Sequence, residues 1–374
     1  MKVNDIITPV EEGINDPHIF KAVFMAANKN QLKITKPDDW HLHIRDTEIM
    51  KAVLPATYRW ASRAIIMPNL EPPILTGSNA RSYASRIKES IEAGIEFEPL
   101  LTLYLTQDTL AEEVLASYNQ GIIKAVKLYP AGATTNSHNG VTDIQKVYPV
   151  LEAMSDAAIP LLIHGEVTDP QIDIFDREAV FIEQILEPLR RELPDLRIVM
   201  EHVTTKEATS YVLNESKNLG ATITPHHLVV NRNVMLSGGI NPHYYCLPIL
   251  KRESHRLALI DAATKGDKRF FLGTDSAPHL DGAKIDVCGC AGVFNAPFAI
   301  EILAQLFDNL GALDNLEGFV SLHGADFYKL PHNKEKLTLF KSDIMLEMPK
   351  TLHTKQGNIT LFDPLMPVYW QIIK

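Results

Sequence analysis

The sequence predicts an α/β protein folded as a closed (β/α)₈ TIM barrel, with an N-terminal extension and a C-terminal helical and tail segment. Short apolar or β-branched runs alternate with longer segments of helical periodicity, a pattern typical of parallel sheets. Eight such runs favour a closed barrel, and 374 residues accommodate a barrel of about 250 residues with insertions. The sequence lacks the glycine-rich turn that an open doubly wound sheet carries after its first strand.

The predicted strands are spread along the chain from residue 40 to residue 273. They cover residues 40–44, 64–67, part of 97–105, 122–128, 160–163, 197–200, 221–224 and 269–273. Ser78 and Thr106 are predicted to cap two of the intervening helices, and Gly121 to end the second of them. Further helical segments are predicted over residues 178–193, 206–219, 254–265, 293–310 and 316–328.

The chain divides into two predicted units. Residues 1–31 form an N-terminal extension, in which residues 20–27 have a helical pattern. Residues 32–374 form the barrel together with a tail that ends in an apolar stretch over residues 368–372. No linker composition marks another domain boundary.

Composition narrows the classes of function. The formal net charge of -10, without a basic patch, argues against nucleic-acid binding. No apolar run of about 18 residues predicts a membrane span, and no targeting segment is evident. Three cysteines, Cys246, Cys288 and Cys290, do not make a disulfide framework and indicate a reducing compartment, so a cytoplasmic protein is expected. Reduced loop cysteines are a better reading of this group than half a zinc site, and its role stays open.

Residues that bind metal ions fall at the ends of the predicted strands, where the active site of such a barrel lies. His41 and His43 are two apart on the first strand, so both imidazoles can point into the barrel mouth. Each residue alone has a simpler interpretation than a metal ligand, as a core histidine, a lysine in a salt bridge or a helix cap. The combination predicts a metal site whose candidate ligands are His41, His43, Lys127, His164, His202 and Asp275.

Charge favours a modified lysine in this group. Four imidazoles and one carboxylate bring one negative charge to two divalent ions, and a Lys127 ammonium would add repulsion. A Lys127 that has reacted with CO₂ becomes an anion that can bridge two ions, and nitrogen and carboxylate ligands suit Zn²⁺. His226 and His227 also follow a strand, but the ligand set is complete without them, so they are expected to pack around the site.

Six motifs together resemble the shorter, bacterial type of dihydroorotase, within the amidohydrolase superfamily. They are residues 40–46 (WHLHIRD), 67–69 (MPN), 127–130 (KLYP), 245–248 (YCLP), 273–279 (GTDSAPH) and 288–292 (CGCAG). The resemblance runs from about residue 32 almost to the end and is weakest in the tail. The His-x-His pair alone would indicate only the superfamily.

The resemblance implies a role for each motif residue. His41, His43 and Asp275 would bind one Zn²⁺, and His164 and His202 the other, with N6-carboxylated Lys127 and a hydroxide as bridges. Asp275 would also be the catalytic acid and base. The implied substrate-binding residues are Arg45, Asn69, Thr134, Thr135, Leu247, His279 and Ala291. Thr134 and Thr135 belong to a small, polar loop at 131–140, which is expected to fold over the barrel mouth.

The implied reaction is the reversible closure of N-carbamoyl-L-aspartate to L-dihydroorotate and water, a step of pyrimidine biosynthesis. The implied partners are that small-molecule substrate and a second copy of the chain in a homodimer, with no nucleic acid and no membrane. The alternatives are a cyclic amidase for hydantoins or allantoin and, in a different class, a barrel scaffold without catalysis. A scaffold would be expected to lose ligands, whereas all six are present.

Overall fold

A computed structural model describes residues 30–214, 217–287 and 289–373 of the chain. Eight parallel strands follow one another in chain order around a single sheet, β2 to β9. These are β2 (Asp38–Leu42), β3 (Arg63–Ile66), β4 (Glu98–Leu105), β5 (Ala125–Leu128), β6 (Leu161–His164), β7 (Ile198–Glu201), β8 (Leu219–Ile223) and β9 (Phe270–Leu272). A bridge between Leu42 and Ser276 joins the last strand's end to the first, and Asp275 N donates to His41 O at 2.9 Å. The predicted TIM barrel is confirmed.

Buried side chains on both faces hold the barrel strands in place. Strands such as β6 and β7 are buried at every position, as parallel strands covered by helices must be. Inside the barrel a separate apolar cluster includes Trp40, Ile65, Leu162 and Phe271. Tyr328 stacks on Trp40 with ring centroids 4.6 Å apart and closes the end of the barrel where the strands begin. The candidate ligands lie at the other end of the barrel.

The helices surround the barrel. Their bounds are α1 (Thr47–Val53), α2 (Pro55–Tyr58), α3 (Gly77–Ser90), α4 (Ala111–Asn119), α5 (Tyr148–Asp156), α6 (Arg177–Phe181), α7 (Glu187–Glu192), α8 (Lys206–Asn214), α9 (Pro225–Val229), α10 (Asn233–Leu236), α11 (Glu253–Thr264), α12 (Asp281–Ile285), α13 (Ala299–Asn309) and α14 (His323–Tyr328). A π-helical turn at Ile182–Leu186 joins α6 to α7. Pro188 lies just beyond this turn and has no N–H to continue the regular ladder.

Several helix boundaries differ from the prediction: the helix predicted over 293–310 begins only at Ala299, and three other differences have a clear local cause. Thr76, not Ser78, caps α3, because its side chain accepts from Asn79 N in a capping box. Thr106 does not begin α4: the Thr109 hydroxyl accepts from Thr106 N in a separate turn, and the helix starts only at Ala111. The helix predicted over 206–219 ends at Asn214, because residues from Leu219 onward pair with β7 and β9.

The two ends of the described chain meet outside the barrel. Strand β1 (Gln31–Thr35) pairs antiparallel with β10 (Lys336–Lys341), which pairs with β13 (Trp370–Ile372). A hairpin of β11 (Thr351–Thr354) and β12 (Gly357–Thr360) precedes β13. The predicted tail is therefore built of strands. The helical pattern predicted at 20–27 lies outside the described residues.

A buried ion pair where the barrel strands begin tests how the fold is stabilised. Arg63 Nη2 lies 2.5 Å from Asp38 Oδ2, and the Asp38 side chain is fully buried. Asp38→Asn leaves the Arg63 charge buried without its partner, so we expect the free energy of unfolding to fall by about 3 kcal/mol. Urea-induced unfolding measures this change. Asp261→Asn, in the exposed pair with Lys265, is the matched control and should cost under about 0.5 kcal/mol. Equal effects of the two variants would contradict this account.

Candidate metal centre

All six predicted ligands lie buried at the carboxyl ends of the strands. His41 lies in β2, Lys127 in β5 and His164 at the end of β6. His43 and His202 directly follow β2 and β7, and Asp275 lies three residues beyond the end of β9. The structure therefore brings together residues that are more than 230 positions apart in the sequence, as the barrel topology predicts.

Three of these side chains point their polar atoms at one another. His41 Nε2 and His43 Nε2 are 3.2 Å apart, and Asp275 Oδ1 lies 3.2 Å from the first and 3.1 Å from the second. Ligands about 2.0–2.1 Å from a Zn²⁺ in a tetrahedral arrangement lie about 3.3 Å apart. The spacing of the three atoms therefore fits one divalent ion held by His41, His43 and Asp275.

The second pair of histidines lies beside the first group. The ring of His202 is 4.9 Å from that of His41 and 4.8 Å from that of His164, measured between centroids. His202 Nδ1 is buried without a hydrogen-bond partner among the described residues. Burial lowers the pKa of His202 well below its ordinary value, and the neighbouring His164 lowers it further. A neutral imidazole with a free nitrogen is the form that binds a metal ion.

Glu201 is a site residue that the sequence analysis missed. Its Oε2 lies 2.7 Å from Lys127 Nζ and 2.5 Å from His41 Nδ1, with all three side chains buried. A carboxylate on the far ring nitrogen fixes the tautomer and the orientation of a metal-binding histidine. Burial would raise the pKa of Glu201, but His41 and Lys127 outweigh it and lower the pKa, so the carboxylate stays ionised.

Glu166 holds His164 in the same way. Glu166 Oε2 lies 3.0 Å from His164 Nε2, and both side chains are buried. His164 thus has one ring nitrogen engaged by a carboxylate and the other left for a metal ion. Each of the two histidine groups therefore has its own orienting carboxylate, Glu201 for one and Glu166 for the other.

Lys127 is the lysine of the ligand group. Its side chain is fully buried and, as an unmodified lysine, donates to Glu201 Oε2. Burial lowers the pKa of Lys127, although Glu201 opposes this effect. A lowered pKa increases the fraction of neutral amine, the form that reacts with CO₂. The donor set, four imidazoles, one carboxylate and this lysine, fits two Zn²⁺ ions once the lysine is carboxylated.

The backbone is strained at three site residues. Arg45, His202 and Asp275 have φ angles of 61°, 42° and 45°, in the left-handed region that residues with a Cβ rarely adopt. Each of them directly follows a strand or lies a few residues beyond it. Such strain persists where the surrounding structure imposes it, commonly at functional sites. Here it accompanies side chains that turn toward the barrel mouth.

Arg45 and His279 form a polar pocket, the Arg45 pocket, next to the ligand group. Arg45 Nη2 lies 2.8 Å from His279 Nε2, and Arg45 Nε donates to Pro278 O at 2.8 Å. His279 Nε2 also lies 3.0 Å from Ala291 O. Burial lowers the pKa of His279 to about 2, with Arg45 adding to the effect, so this imidazole stays neutral. The guanidinium keeps its charge, so this corner of the site is positive.

The 131–140 loop lies folded inward against this pocket. Asn69 Nδ2 donates to Thr135 O at 3.1 Å, and the Thr135 hydroxyl lies 3.4 Å from Ala291 O. Ser137 is buried and closes the loop on itself by accepting from Thr134 N at 2.8 Å. Of the implied substrate-binding residues, the structure joins Arg45, Asn69, Thr135, His279 and Ala291 in one network of contacts. Thr134 is held inside the loop.

His226, His227 and Cys246 lie together in a buried group. His227 has both nitrogens engaged, by the Thr224 hydroxyl at 2.7 Å and by Pro248 O at 3.1 Å. Cys246 lies 3.8 Å from that ring, and burial raises the pKa of its thiol to about 12. His226 accepts from Asn295 Nδ2 at 2.8 Å. These contacts hold the segment that contains Leu247. Cys290 is a free thiol, and Cys288 lies outside the described residues.

Comparisons with known proteins show the family of the chain. Residues 38–339 match the amidohydrolase family. A dihydroorotase of Ruegeria sp. (strain TM1040) is 58% identical over 91% of this chain and 99% of its own length. A dihydroorotase of Cupriavidus necator is 58% identical over 88% and 95%.

Solved structures of dihydroorotases are also similar to this chain. The dihydroorotase of Campylobacter jejuni matches with a TM-score of 0.83 and 36% identity over 92% of this chain and 97% of its own. The Saccharomyces cerevisiae dihydroorotase in complex with 5-fluoroorotic acid matches with a TM-score of 0.84 and 32% identity over 92% and 98%. An L-hydantoinase of Arthrobacter aurescens, at 14% identity and a TM-score of 0.76 over 92% of this chain and 84% of its own, shares the fold.

The role of Glu201 in holding the ligands can be measured directly. Glu201→Gln keeps the size of the side chain but removes the charge that faces His41 and Lys127. We expect the affinity for Zn²⁺ to fall about 10- to 100-fold. Competition with a chelator on the metal-free protein measures this change. Glu335→Gln, at an exposed glutamate, is the matched control. Unchanged metal affinity in Glu201→Gln would show that the carboxylate does not orient the ligands.

Proposed function

The chain belongs to the amidohydrolase family, and on that premise we propose that it is a dihydroorotase, which interconverts N-carbamoyl-L-aspartate and L-dihydroorotate plus water. The observation that carries the proposal is the juxtaposition of a buried ligand group with the Arg45 pocket. A metal-assisted amidase requires the ligand group, and a substrate with a carboxylate on its ring requires the Arg45 pocket. The proposal places the reaction in pyrimidine biosynthesis.

The proposed cofactor is a pair of Zn²⁺ ions. His41, His43 and Asp275 would hold one ion, and His164 and His202 the other, with carboxylated Lys127 shared between them. When bound, such ions supply a water that ionises near neutral pH and polarise the carbonyl that is attacked. The spacing of the first three donor atoms and the free Nδ1 of His202 support this assignment.

Asp275 would carry the proton. In the hydrolytic direction water adds to the ring carbonyl, and the carboxylate of Asp275 accepts the proton that the water loses. The same carboxyl group then returns it to the ring nitrogen as the amide bond breaks. Burial would raise the pKa of Asp275, but His41 and His43 outweigh it and hold the pKa well below its usual range. The carboxyl group is therefore ionised before the reaction begins.

The other pocket residues would orient the substrate. Arg45 and His279 would bind its carboxylate, and Asn69 would support them, since a forked guanidinium is well shaped for that anion. Backbone groups of Leu247 and Ala291 would contact the ring. Thr134 and Thr135 would close over it and help exclude water. The contacts of Asn69 and Ala291 with Thr135 support this arrangement, because they bring the loop to the pocket.

The alternative is a cyclic amidase for uncharged rings. A hydantoin or allantoin ring would leave Arg45 buried without an anionic partner, which weakens binding. The carboxylate of dihydroorotate supplies that partner. The test is a comparison of dihydroorotate, hydantoin and allantoin as substrates of the same protein, with its zinc content measured. Hydrolysis of dihydroorotate at a kcat/KM far above the others is expected. A preference for hydantoin or allantoin would overturn the proposal.

We propose that the enzyme is a homodimer in the cytoplasm and that residues 32–374 form the catalytic unit. The resemblance and the reduced cysteines support the first part. The second is supported by the placement of every proposed site residue beyond residue 31. Among the described residues no helix is long and apolar enough to cross a membrane.

Arg45 provides the sharpest test of substrate recognition. Arg45→Lys keeps the charge but loses the planar fork. We expect the KM for dihydroorotate to rise on the order of tenfold, since hydrogen bonds to charged groups contribute about 1.5–3 kcal/mol. Steady-state kinetics measure the change, with Arg59→Lys on the outer face as a control. An unchanged KM would place the anion site elsewhere.

Lys127 tests the bridging anion. Lys127→Ala removes the group that would balance the two ions, so we expect activity to be lost. Short carboxylic acids should restore part of it, because their carboxylate can occupy the vacated space. Activity and zinc content are measured with and without added acid. Full activity of Lys127→Ala without any acid would contradict the proposed bridge.

The inward loop tests closure. The double variant Thr134→Ala/Thr135→Ala removes the hydroxyls but keeps the loop. Closure contributes more to the transition state than to initial binding, so turnover should fall about ten- to a hundredfold with a smaller change in affinity. Separate measurement of kcat and of inhibitor binding distinguishes the two. Near wild-type turnover would reduce the loop to a connection.

A further inference from the structure

Lys284 is a buried lysine that the reaction described above does not use. It lies in α12, and the residue is 4% exposed. Its Nζ donates to Tyr245 O at 2.8 Å and to Gly292 O at 2.7 Å. Lysines in short outer helices usually extend into solvent, because burial of an ammonium is costly. This one is drawn inward and held by two carbonyl oxygens.

No carboxylate within the described ranges lies at ion-pair distance from Lys284. The polar partners of its Nζ are the two uncharged carbonyl oxygens, and its ammonium lies 5.8 Å from the centroid of the Tyr245 ring. Burial lowers the pKa of Lys284 to about 8, so the side chain is mostly charged at neutral pH. A buried cation without an anionic partner favours the arrival of one.

The two carbonyls belong to segments that border the Arg45 pocket, so they hold the charge of Lys284 beside that pocket. Tyr245 lies two residues before Leu247, and Gly292 follows Ala291, whose carbonyl lies 3.0 Å from His279 Nε2. Gly292 N also donates to Tyr245 O at 3.0 Å, so the two segments are joined to each other as well as to Lys284. Gly292 has a φ of 152°, and a Cβ there would lie 2.4 Å from Ala277 O, which keeps the segments close.

We propose that Lys284 is a specificity-determining residue. It adds a second cation to the Arg45 pocket, and its charge selects rings that carry a carboxylate over uncharged rings. The inference rests on the proposed function, because it assigns that pocket to the substrate carboxylate. Arg45 would bind the anion by contact. Lys284 would act through the electric field at the pocket, which low-dielectric surroundings strengthen.

The test separates charge from the hydrogen bonds to the carbonyls. Lys284→Gln removes the charge and keeps an amide donor for the two segments. Two ligands with the same ring are compared, anionic orotate and neutral uracil, which lacks the carboxylate. We expect the dissociation constant of orotate to rise on the order of tenfold, from the loss of one charge near the pocket. That of uracil should stay within about twofold, because a neutral ring feels little of the field.

Controls keep the outcomes distinct. Lys265→Gln, at an exposed lysine paired with Asp261, should leave both constants unchanged. Lys284→Met is a second uncharged variant, and it should reproduce the loss for orotate. Equal weakening of orotate and uracil, or unchanged binding of both, would overturn the proposal. The proposed function itself is tested by the substrate preference of the wild-type protein, which is measured independently of these variants.

Discussion

The burial of several charges in one closed barrel is the constraint on which the rest of this structure depends. Lys127, His41 and Asp275 lie together away from solvent, and an unpaired buried charge is strongly destabilising. Glu201 resolves the conflict, because one of its oxygens contacts both Lys127 and His41. The apolar interior around Trp40 fills the barrel, and the ligand group lies at the carboxyl ends of the strands.

The same constraint explains how the centre can bind metal ions and still be a stable fold. Each group of histidines is held from behind by a carboxylate, Glu201 for one and Glu166 for the other. These carboxylates leave the forward nitrogens free, and the strained backbone at His202 and Asp275 contributes to aiming them. The Arg45 pocket beside the ligands is positively charged, whereas the groups behind the histidines are carboxylates. Arg45 and Lys284 contribute the positive charge, and the neutral His279 adds none.

The sequence predicted the eight barrel strands and the ligand group because both depend on local signals. Strand and helix periodicities are visible in short windows, and two histidines two apart on a strand must share a face. Glu201 was missed because a carboxylate at the end of an apolar strand resembles a residue that meets solvent. Its partners Lys127 and His41 become neighbours only when the barrel closes. Lys284 was overlooked for the same reason, since a lysine in a short outer helix is expected to extend into solvent.

The C-terminal strands were predicted only as a tail because their pairing is distant in sequence. The pairing of β10 with β1 joins residues about three hundred positions apart, which no local pattern reveals. The wrong cap at Thr106 has a local cause, because the Thr109 hydroxyl accepts from Thr106 N in a turn before the helix. Sequence patterns thus located the helices and barrel strands, but not the contacts between residues that are distant in sequence.

The central claim is that Lys127 carries a carboxylate when the centre holds its ions. The most direct measurement is carbon-13 NMR of the zinc-loaded protein equilibrated with carbon-13-labelled bicarbonate. The account predicts a carbamate carbon signal in the wild-type protein that is absent from Lys127→Ala and is lost when a chelator removes the zinc. A fully active, zinc-loaded protein without that signal would contradict it.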